Sequence, residues 1–207
     1  MKNILIIFSG MRHSSSTLCK KIYNMKKCTS TWELFNENQS NYPLKKYKTI
    51  SGVINAAVKD FKKWDDDAKL FNFKIFPKHL SNDQLMEVIR LNNQYNLSAI
   101  ILTRNLEDSY KSFVYARITG DWNTKNNHNN PQHYKDFKRN FDFNKQYIED
   151  NKWPLDSFEK YKESHNIFFN DIELLLKNND ISYKKITFEE NIKNTFDIEQ
   201  HIQNIIN

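Results

Sequence analysis

Two shortages in the sequence, of cysteine and of long apolar runs, restrict the class of protein. The 207 residues include only Cys19 and Cys28, which match neither a disulfide framework nor a four-cysteine metal site. We therefore expect reduced thiols. The apolar run Ile4–Phe8 is too short for a signal peptide or a membrane span, so the sequence predicts a cytoplasmic protein unless a leader has been removed.

Basic residues outnumber acidic ones, 31 to 25, and give a net charge of +6. This balance favours anionic partners such as phosphates, sulfates or nucleic acid, without selecting among them. Only 39% of the residues are hydrophobic, but fifteen Phe, ten Tyr and four Trp supply apolar area for a core. The length suits a single domain, 1–207, and the chain shows neither internal repeats nor a dividing linker.

The most informative stretch is a strand-like run followed by a polar loop and a helix. Ile4–Phe8 is apolar without alternation, as in a strand covered on both faces. The polar residues that follow include Arg12, His13, Ser14, Ser15, Ser16 and Thr17. Because a helix start presents unpaired N–H groups, and hydroxyl and guanidinium groups add donors, this loop is a candidate anion site. The alternative is a Ser-rich turn that caps an ordinary helix.

The loop parallels a nucleotide-binding loop but lacks two of its residues. The spacing from Gly10 to Thr17 matches the Walker A pattern, Gly-x-x-x-x-Gly-Lys-Ser/Thr. Ser15 and Ser16 stand where that pattern has its second Gly and its Lys. The loop therefore suits phosphate, but not the usual arrangement of a magnesium nucleotide.

Strand-like and helix-like segments alternate along the chain. The predicted strands are Ile4–Phe8, Thr29–Phe35, Leu70–Phe76, Leu97–Thr103 and Ile181–Phe188. The predicted helices after the first include Ile50–Trp64, Asn82–Tyr95, one that ends near Ile118, Tyr134–Asp150, Phe158–Asn178 and Ile192–Ile206. Ser81 with Gln84, and Asn105, are expected to cap two of them. The alternation predicts a three-layer α/β fold with a central, mostly parallel five-stranded sheet flanked by helices.

In such folds ligands bind beyond the carboxyl ends of the strands. The polar residues at or just beyond the ends of later predicted strands are Glu33, Lys78, His79 and Arg104. A buried strand rarely ends in arginine without a partner, so Arg104 is a candidate ligand group. The alternatives are a surface Arg104 paired with a nearby acid, a surface carboxylate at Glu33, and a polar His79 before a helix cap.

Two stretches resemble motifs of the PAPS-dependent sulfotransferases, which transfer a sulfonate from 3'-phosphoadenosine 5'-phosphosulfate (PAPS). Arg12–Leu18 resembles the 5'-phosphosulfate loop of the carbohydrate branch, with His13 and Ser14 in place of a Ser-Gly. Arg104–Ser112 resembles the 3'-phosphate motif, whose Arg and Ser are likewise eight positions apart. Ile186–Glu190 resembles the last strand of the family and the residues after it.

This resemblance implies a P-loop-like fold and a sulfotransferase that uses PAPS as co-substrate without a metal. The loop Arg12–Thr17 would hold the 5'-phosphosulfate, and Arg12 would neutralise the leaving oxygen. Arg104 and Ser112 would hold the 3'-phosphate. The acceptor would be a hydroxyl or amine on a carbohydrate or small molecule, with no nucleic-acid partner. Residues 120–157 lie outside the resemblance and are expected to form the acceptor side.

The resemblance leaves the general base open between Glu33 and His79. Glu33 resembles the catalytic Glu of the carbohydrate branch, whereas His79 resembles the Lys-x-His-Leu stretch of the cytosolic branch. We favour Glu33 because Arg12 resembles the carbohydrate branch. Two other classes stay open: a P-loop kinase of small molecules, and a non-catalytic protein that binds nucleic acid or another anion.

Overall fold

The computed structural model describes residues 2–13, 15–31, 33–36, 46–61, 67–77, 79–120, 131–145, 156–193 and 195–206. The chain divides into two compact units, Met1–Thr103 with Phe168–Asn207, and Arg104–Ile167. The interpretation of 1–207 as one domain stays a prediction. Within the described residues, no helix has the length and apolar character needed to cross a bilayer.

A five-stranded parallel sheet forms the centre of the first unit. Its strands are β1 Asn3–Ser9, β2 Cys28–Ser30, β3 Leu70–Ile75, β4 Asn96–Thr103 and β5 Ser182–Thr187. Their spatial order is β2-β3-β1-β4-β5, and every neighbouring pair is parallel. The predicted α/β class is confirmed. Because the chain moves to both sides of the central strand β1, the carboxyl end of β1 is a topological switch point, where such sheets bind ligands.

Helices cover both faces of this sheet. The described helices are α1 Ser15–Tyr23, α2 Ile50–Phe61, α3 Asn82–Arg90, α4 Leu106–Thr119, α5 Pro131–Arg139, α6 Phe158–Asn178, α7 Phe188–Lys193 and α8 Thr195–Ile206, with a 3-10 turn at Leu91–Asn93. Side chains of α2, α3 and the second half of α6 pack on one face, and side chains of α1 and α8 pack on the other. The result is the predicted three-layer arrangement.

The two covering layers explain the unbroken apolar run of β1. Ile4 and Ile6 join the core on the α2 and α3 side, whereas Leu5 and Ile7 join the core on the α1 and α8 side. Successive side chains of a strand point to opposite faces of its sheet. A strand covered on both faces is therefore apolar throughout instead of alternating.

The second strand is shorter than predicted. The pattern predicted a strand over Thr29–Phe35, whereas β2 ends at Ser30, and Leu34 and Phe35 lie in a turn. Both turn side chains are nevertheless buried, and the Phe35 ring lies 5.7 Å from that of Phe73 between centroids. The apolar character of this segment therefore reflects burial of a turn in the core, which short apolar runs do not distinguish from a strand.

The end of the chain holds two helices where one was predicted. The predicted strand Ile181–Phe188 is present as β5, one residue shorter at each end. The predicted helix Ile192–Ile206 is present as α8 from Thr195, with the short helix α7 between it and β5. The N–H of Glu190 donates to Thr187 Oγ1 at 3.1 Å, and the N–H of Thr187 donates to Glu190 Oε2 at 2.7 Å. This reciprocal capping box begins α7 directly after β5 and so ends the strand one residue early.

Both predicted helix caps are present. The N–H of Gln84 donates to Ser81 Oγ at 3.3 Å, and the N–H of Ser81 donates to Gln84 Oε1 at 2.9 Å. The N–H of Asp108 donates to Asn105 Oδ1 at 3.0 Å. Helix α6 has the predicted bounds, whereas α3 passes into the 3-10 turn Leu91–Asn93 before its predicted end.

Aromatic side chains form the core of the second unit. Its buried members are Tyr110, Val114 and Tyr161, surrounded by Leu106, Phe113, Ile118, Phe137, Phe141, Phe143 and Phe158. The helix predicted over Tyr134–Asp150 is wrong at its end, because α5 stops at Arg139 and turns follow it. Residues 121–130 and 146–155, which include much of the expected acceptor side, lie outside the described residues.

Candidate functional site

The chain leaves β1 through a tight turn that contains the start of the predicted anion-binding loop, Gly10–Thr17, which we call the anion loop. The N–H of His13 donates to the carbonyl oxygen of Gly10 at 3.3 Å and closes the turn. Arg12 has a φ of 65°, in the left-handed region that favours glycine. Such strain costs about 1–3 kcal/mol and persists only where the surrounding structure fixes it. The turn therefore holds Arg12 in a conformation that the free chain would rarely adopt.

Helix α1 begins directly after this turn. Ser15 is buried, whereas Ser16 and Thr17 are exposed. The first turn of α1 contains no acidic residue, so no carboxylate of its own competes with an incoming anion for the unpaired N–H groups. Ser14, which the sequence predicts to be cofactor-binding, lies outside the described residues.

A buried lysine that the sequence analysis missed lies beside the start of α1. Lys74 on β3 is 2% exposed, and its Nζ donates to Ser16 Oγ at 2.8 Å and lies 2.9 Å from Glu33 Oε1. A buried ammonium group is costly unless it is paired and hydrogen-bonded, and these two partners meet that need. The available signal was a single charged residue inside the apolar strand Leu-Phe-Asn-Phe-Lys-Ile.

Glu33 lies three residues beyond the end of β2 and is 24% exposed. Asn36 Nδ2 donates to Glu33 Oε2 at 2.6 Å. Burial, the largest influence, acts to raise the pKa of Glu33. The attraction and hydrogen bond of Lys74, the hydrogen bond of Asn36 and the charge of His79 together outweigh it and lower the pKa of Glu33 below its usual 4.5. Glu33 is therefore ionised at neutral pH, as a proton acceptor must be.

His79 belongs to the same neighbourhood. Its charge contributes to lowering the pKa of Glu33. The N–H of Phe76 donates to His79 Nδ1 at 3.4 Å, and the Phe76 ring lies 5.0 Å from the His79 ring and 5.0 Å from Lys74 Nζ. Both candidate bases thus lie near Lys74. We call the set Ser16, Glu33, Lys74 and His79 the carboxyl-edge cluster.

The carboxyl-edge cluster has the chemistry of a site for a strongly charged anion. It combines the ammonium group of Lys74, the hydroxyl of Ser16 and the backbone N–H groups at the start of α1. Because Lys74 is buried, its fixed charge attracts an anion more strongly than it would in water. The Glu33 carboxylate beside it can accept a proton from a second molecule.

In the second unit, Arg104 directly follows β4 and precedes the cap of α4. Asp108 on α4 forms an ion pair with Lys138, with Oδ1 and Nζ 2.6 Å apart. The hydrogen bond from Lys138 is the main cause that lowers the pKa of Asp108; burial opposes it, and the charges of Lys138, Arg104 and Lys111 add to it. Arg104 is thus within electrostatic reach of Asp108, while the close partner of that carboxylate is Lys138.

Ser112 lies on α4 in the same unit and is 4% exposed. Ser109, one turn earlier, is fully buried, and its Oγ lies 2.7 Å from the hydroxyl oxygen of Tyr161 on α6. No local sequence pattern marks Ser109, because its partner is 52 positions away. This hydrogen bond joins α4 to the first half of α6 and fixes the helix that carries Ser112.

The predicted site residues are divided between the two units. The first unit contains Arg12, His13, Ser15, Ser16, Thr17, Glu33 and His79, and the second contains Arg104 and Ser112. Lys78 lies outside the described residues. The roles of all of them toward PAPS stay predictions. No protein-family model matches the sequence, and comparison with curated proteins found no relative.

Proposed function

We propose that the protein is a sulfotransferase that moves a sulfonate group from PAPS to a hydroxyl or amine acceptor on a glycan or small molecule. The observation that supports this most is Lys74, a buried cation that contacts both Ser16 of the anion loop and the carboxylate of Glu33. Sulfonate transfer needs an anion site, a cation for the charge that develops and a base for the acceptor proton. The carboxyl-edge cluster contains all three kinds of group.

The proposed reaction is an in-line displacement at sulfur. The acceptor oxygen or nitrogen forms a bond to sulfur while the bond from sulfur to the bridging oxygen of the 5'-phosphate breaks, and the adenosine bisphosphate PAP leaves. Arg12, Lys74 and the loop N–H groups stabilise the negative charge that grows on the bridging oxygen. The acceptor proton passes to Glu33. The stretch Arg104–Ser112 keeps its proposed role in holding the 3'-phosphate.

Lys74 also affects the pKa of Glu33, the proposed base. While Lys74 is paired with Glu33, the pKa of Glu33 is low and the carboxylate is a weak base. A sulfonate near Ser16 attracts the same ammonium group and so weakens its hold on Glu33. Binding of the donor therefore makes Glu33 more basic when a base is needed. His79 is the alternative base within the same cluster.

A thermal-shift screen with PAP, ATP with Mg²⁺, and a single-stranded oligonucleotide tests the proposal. PAP at a hundred times its dissociation constant should stabilise the protein by about 2.7 kcal/mol without added metal. That stabilisation corresponds to roughly 5–10 °C for a chain of this length. A shift with the oligonucleotide alone, or no shift with PAP at any concentration, would contradict the proposal.

One observation also favours a second candidate, a P-loop kinase of small molecules. The loop lacks the lysine of the Walker A pattern, but Lys74 brings an ammonium group to Ser16, which stands at that position in the sequence. A kinase of this kind would bind ATP in a metal-dependent manner. The same screen separates the two candidates, since a kinase is stabilised by ATP with Mg²⁺ and not by PAP.

A further inference from the structure

We infer that His13 is a positioning residue, whose buried imidazole holds the turn Gly10–His13 in the conformation that presents the anion loop. The resemblance described above implies that His13 is one of the residues that contact the cofactor. The inference deepens the proposed function, on which it rests for the identity of the anion. It assigns His13 a role behind the loop instead of on its ligand side.

Burial is the first observation. His13 is 0% exposed, so its ring lies inside the protein and not at the surface where an anion arrives. The ring stacks on Phe169 of α6, with centroids 5.8 Å apart and planes inclined by 18°. Among the loop residues 10–13 and 15–17 that the structure describes, Gly10 and Ser15 are also buried, whereas Arg12 is half-buried. The buried His13 side chain thus ties the loop to the interior.

The second observation is the hydrogen bonding of the backbone around the ring. The pairing of β1 with β4 ends at Ser9 opposite Leu102, and the chain then leaves the sheet. His13 Nδ1 lies 3.1 Å from the carbonyl oxygen of Leu102 and 3.3 Å from the nitrogen of Gly10. A protonated Nδ1 donates to Leu102, and an unprotonated Nδ1 accepts from Gly10. Either neutral tautomer of His13 therefore supplies a hydrogen-bond partner to a buried backbone group at the point where the pairing of β1 with β4 ends.

The third observation is the strain next to His13. Arg12 has a φ of 65°, and no glycine lies between Gly10 and the start of α1 to adopt such a conformation at low cost. A strained residue of this kind persists only where its neighbours over-determine it. The His13 backbone N–H to Gly10, the ring contact with Leu102 and the stacking on Phe169 provide those constraints. They set the direction in which Arg12 and the following N–H groups face.

Two substitutions of His13 by amides of similar size distinguish a role in positioning the loop from a role in packing alone. In His13→Asn the side-chain nitrogen comes at about the place of Nδ1 and can still donate to Leu102. In His13→Gln the amide lies one carbon farther out and misses that place. We expect His13→Asn to bind PAP within about threefold of the wild type, and His13→Gln to bind about tenfold or more weakly, since a buried acceptor loses its hydrogen bond. His201→Asn on α8 is the control for the same chemical change elsewhere.

The experiment compares the wild type with the three variants. For each protein we would measure PAP affinity by calorimetric titration, the midpoint of thermal unfolding, and the amide hydrogen exchange of the loop. Equal PAP affinity and equal loop exchange in the Asn and Gln variants would overturn the inference. A wild type that fails to bind PAP would overturn the proposed function instead, and loop exchange would still test His13. In that case, the two variants are compared at similar midpoints of thermal unfolding. Faster amide exchange of the loop in His13→Gln than in His13→Asn supports the positioning role, and equal exchange refutes it.

Discussion

At the scale of single residues, a lysine buried inside a strand is the group on which the proposed chemistry most depends. The hydroxyl of Ser16 and the carboxylate of Glu33 lie within hydrogen-bond distance of Lys74 Nζ. Removal of one member of a buried ion pair is more costly than the pair itself is favourable, because the remaining charge keeps its desolvation penalty. Lys74 therefore links the stability of the sheet to the chemistry at its edge.

We predict that Lys74→Met lowers the free energy of unfolding by roughly 1–3 kcal/mol, the cost of leaving a partly buried charged group without its partner. The double variant Lys74→Met with Glu33→Gln should recover part of that loss. Lys185→Met is the control at an exposed lysine. Lys185 is 54% exposed and lies 2.9 Å from Glu173, which is 24% exposed and also pairs with Lys177. Urea unfolding should show a change below about 1 kcal/mol for this control. Equal losses for both lysines would mean that burial gives the pairing of Lys74 no more weight than that of an exposed lysine.

The choice of base is also a question about single residues. If Glu33 is the base, Glu33→Gln lowers turnover by about 10²-fold or more while PAP affinity is kept, because the amide retains size but not basicity. His79→Asn should have the smaller effect. Sulfonate transfer to an accepted hydroxyl substrate, measured for both variants side by side, decides the matter. A nearly normal rate for Glu33→Gln with a collapsed rate for His79→Asn would reverse the assignment.

The proposed role of Arg104 can be tested with two ligands that differ in whether they carry a 3'-phosphate. A guanidinium can hold a terminal phosphate through two hydrogen bonds, so we expect Arg104→Ala to weaken PAP binding by roughly 1.5–3 kcal/mol. Adenosine 5'-phosphosulfate has no 3'-phosphate and should bind the variant and the wild type alike. Calorimetry with the two ligands makes the comparison. If both ligands lose the same affinity, Arg104 has a structural role.

At the scale of helices and strands, short polar signals set where elements begin. The capping box of Ser81 and Gln84 starts α3, and a similar pair, Thr187 and Glu190, starts α7. Each pair satisfies two backbone N–H groups that a helix start leaves without partners. The position of α3 on the sheet therefore depends partly on one exposed serine.

We predict that Ser81→Ala lowers the free energy of unfolding by about 1 kcal/mol, the usual cost of losing an N-cap. PAP affinity should stay unchanged, because Ser81 lies outside the carboxyl-edge cluster. Ser182→Ala, at an exposed serine of β5, should stay within about 0.5 kcal/mol of the wild type. Chemical denaturation of the three proteins provides the test. A Ser81→Ala loss no larger than that of Ser182→Ala would contradict the importance of the cap.

The elements also show where sequence reasoning succeeds and where it stops. Periodicity predicted the bounds of α6, and capping chemistry predicted the starts of α3 and α4, because both signals are local. The length of β2 was wrong because Leu34 and Phe35 are buried by a turn. Lys74 was missed for a related reason: its partner Ser16 is 58 positions away, and no local pattern marks that contact. Helix bounds and caps, which depend on neighbouring residues, are therefore predictable from the sequence. Contacts between residues far apart in the chain, which depend on the order of the strands in the sheet, are not.

At the scale of the whole molecule, the alternation of strands and helices was enough to predict a parallel sheet with helices on both faces. In the order β2-β3-β1-β4-β5, the carboxyl ends of β1, β2 and β3 lie next to one another at one edge of the sheet. That order brings Ser16, Glu33 and Lys74 together from three separate stretches. The net charge of +6 agrees with an anionic ligand but does not identify it.

In the function that we propose, the anion loop and the carboxyl-edge cluster belong to a site for PAPS that needs no metal. Calorimetric titration of the intact protein with PAP and with ATP, each in EDTA and again with Mg²⁺, tests it most directly. We predict that PAP binds at micromolar concentration or below in EDTA, with little change on adding Mg²⁺, and that ATP binds much more weakly. Binding of ATP only in the presence of Mg²⁺, with no heat from PAP under either condition, would contradict it.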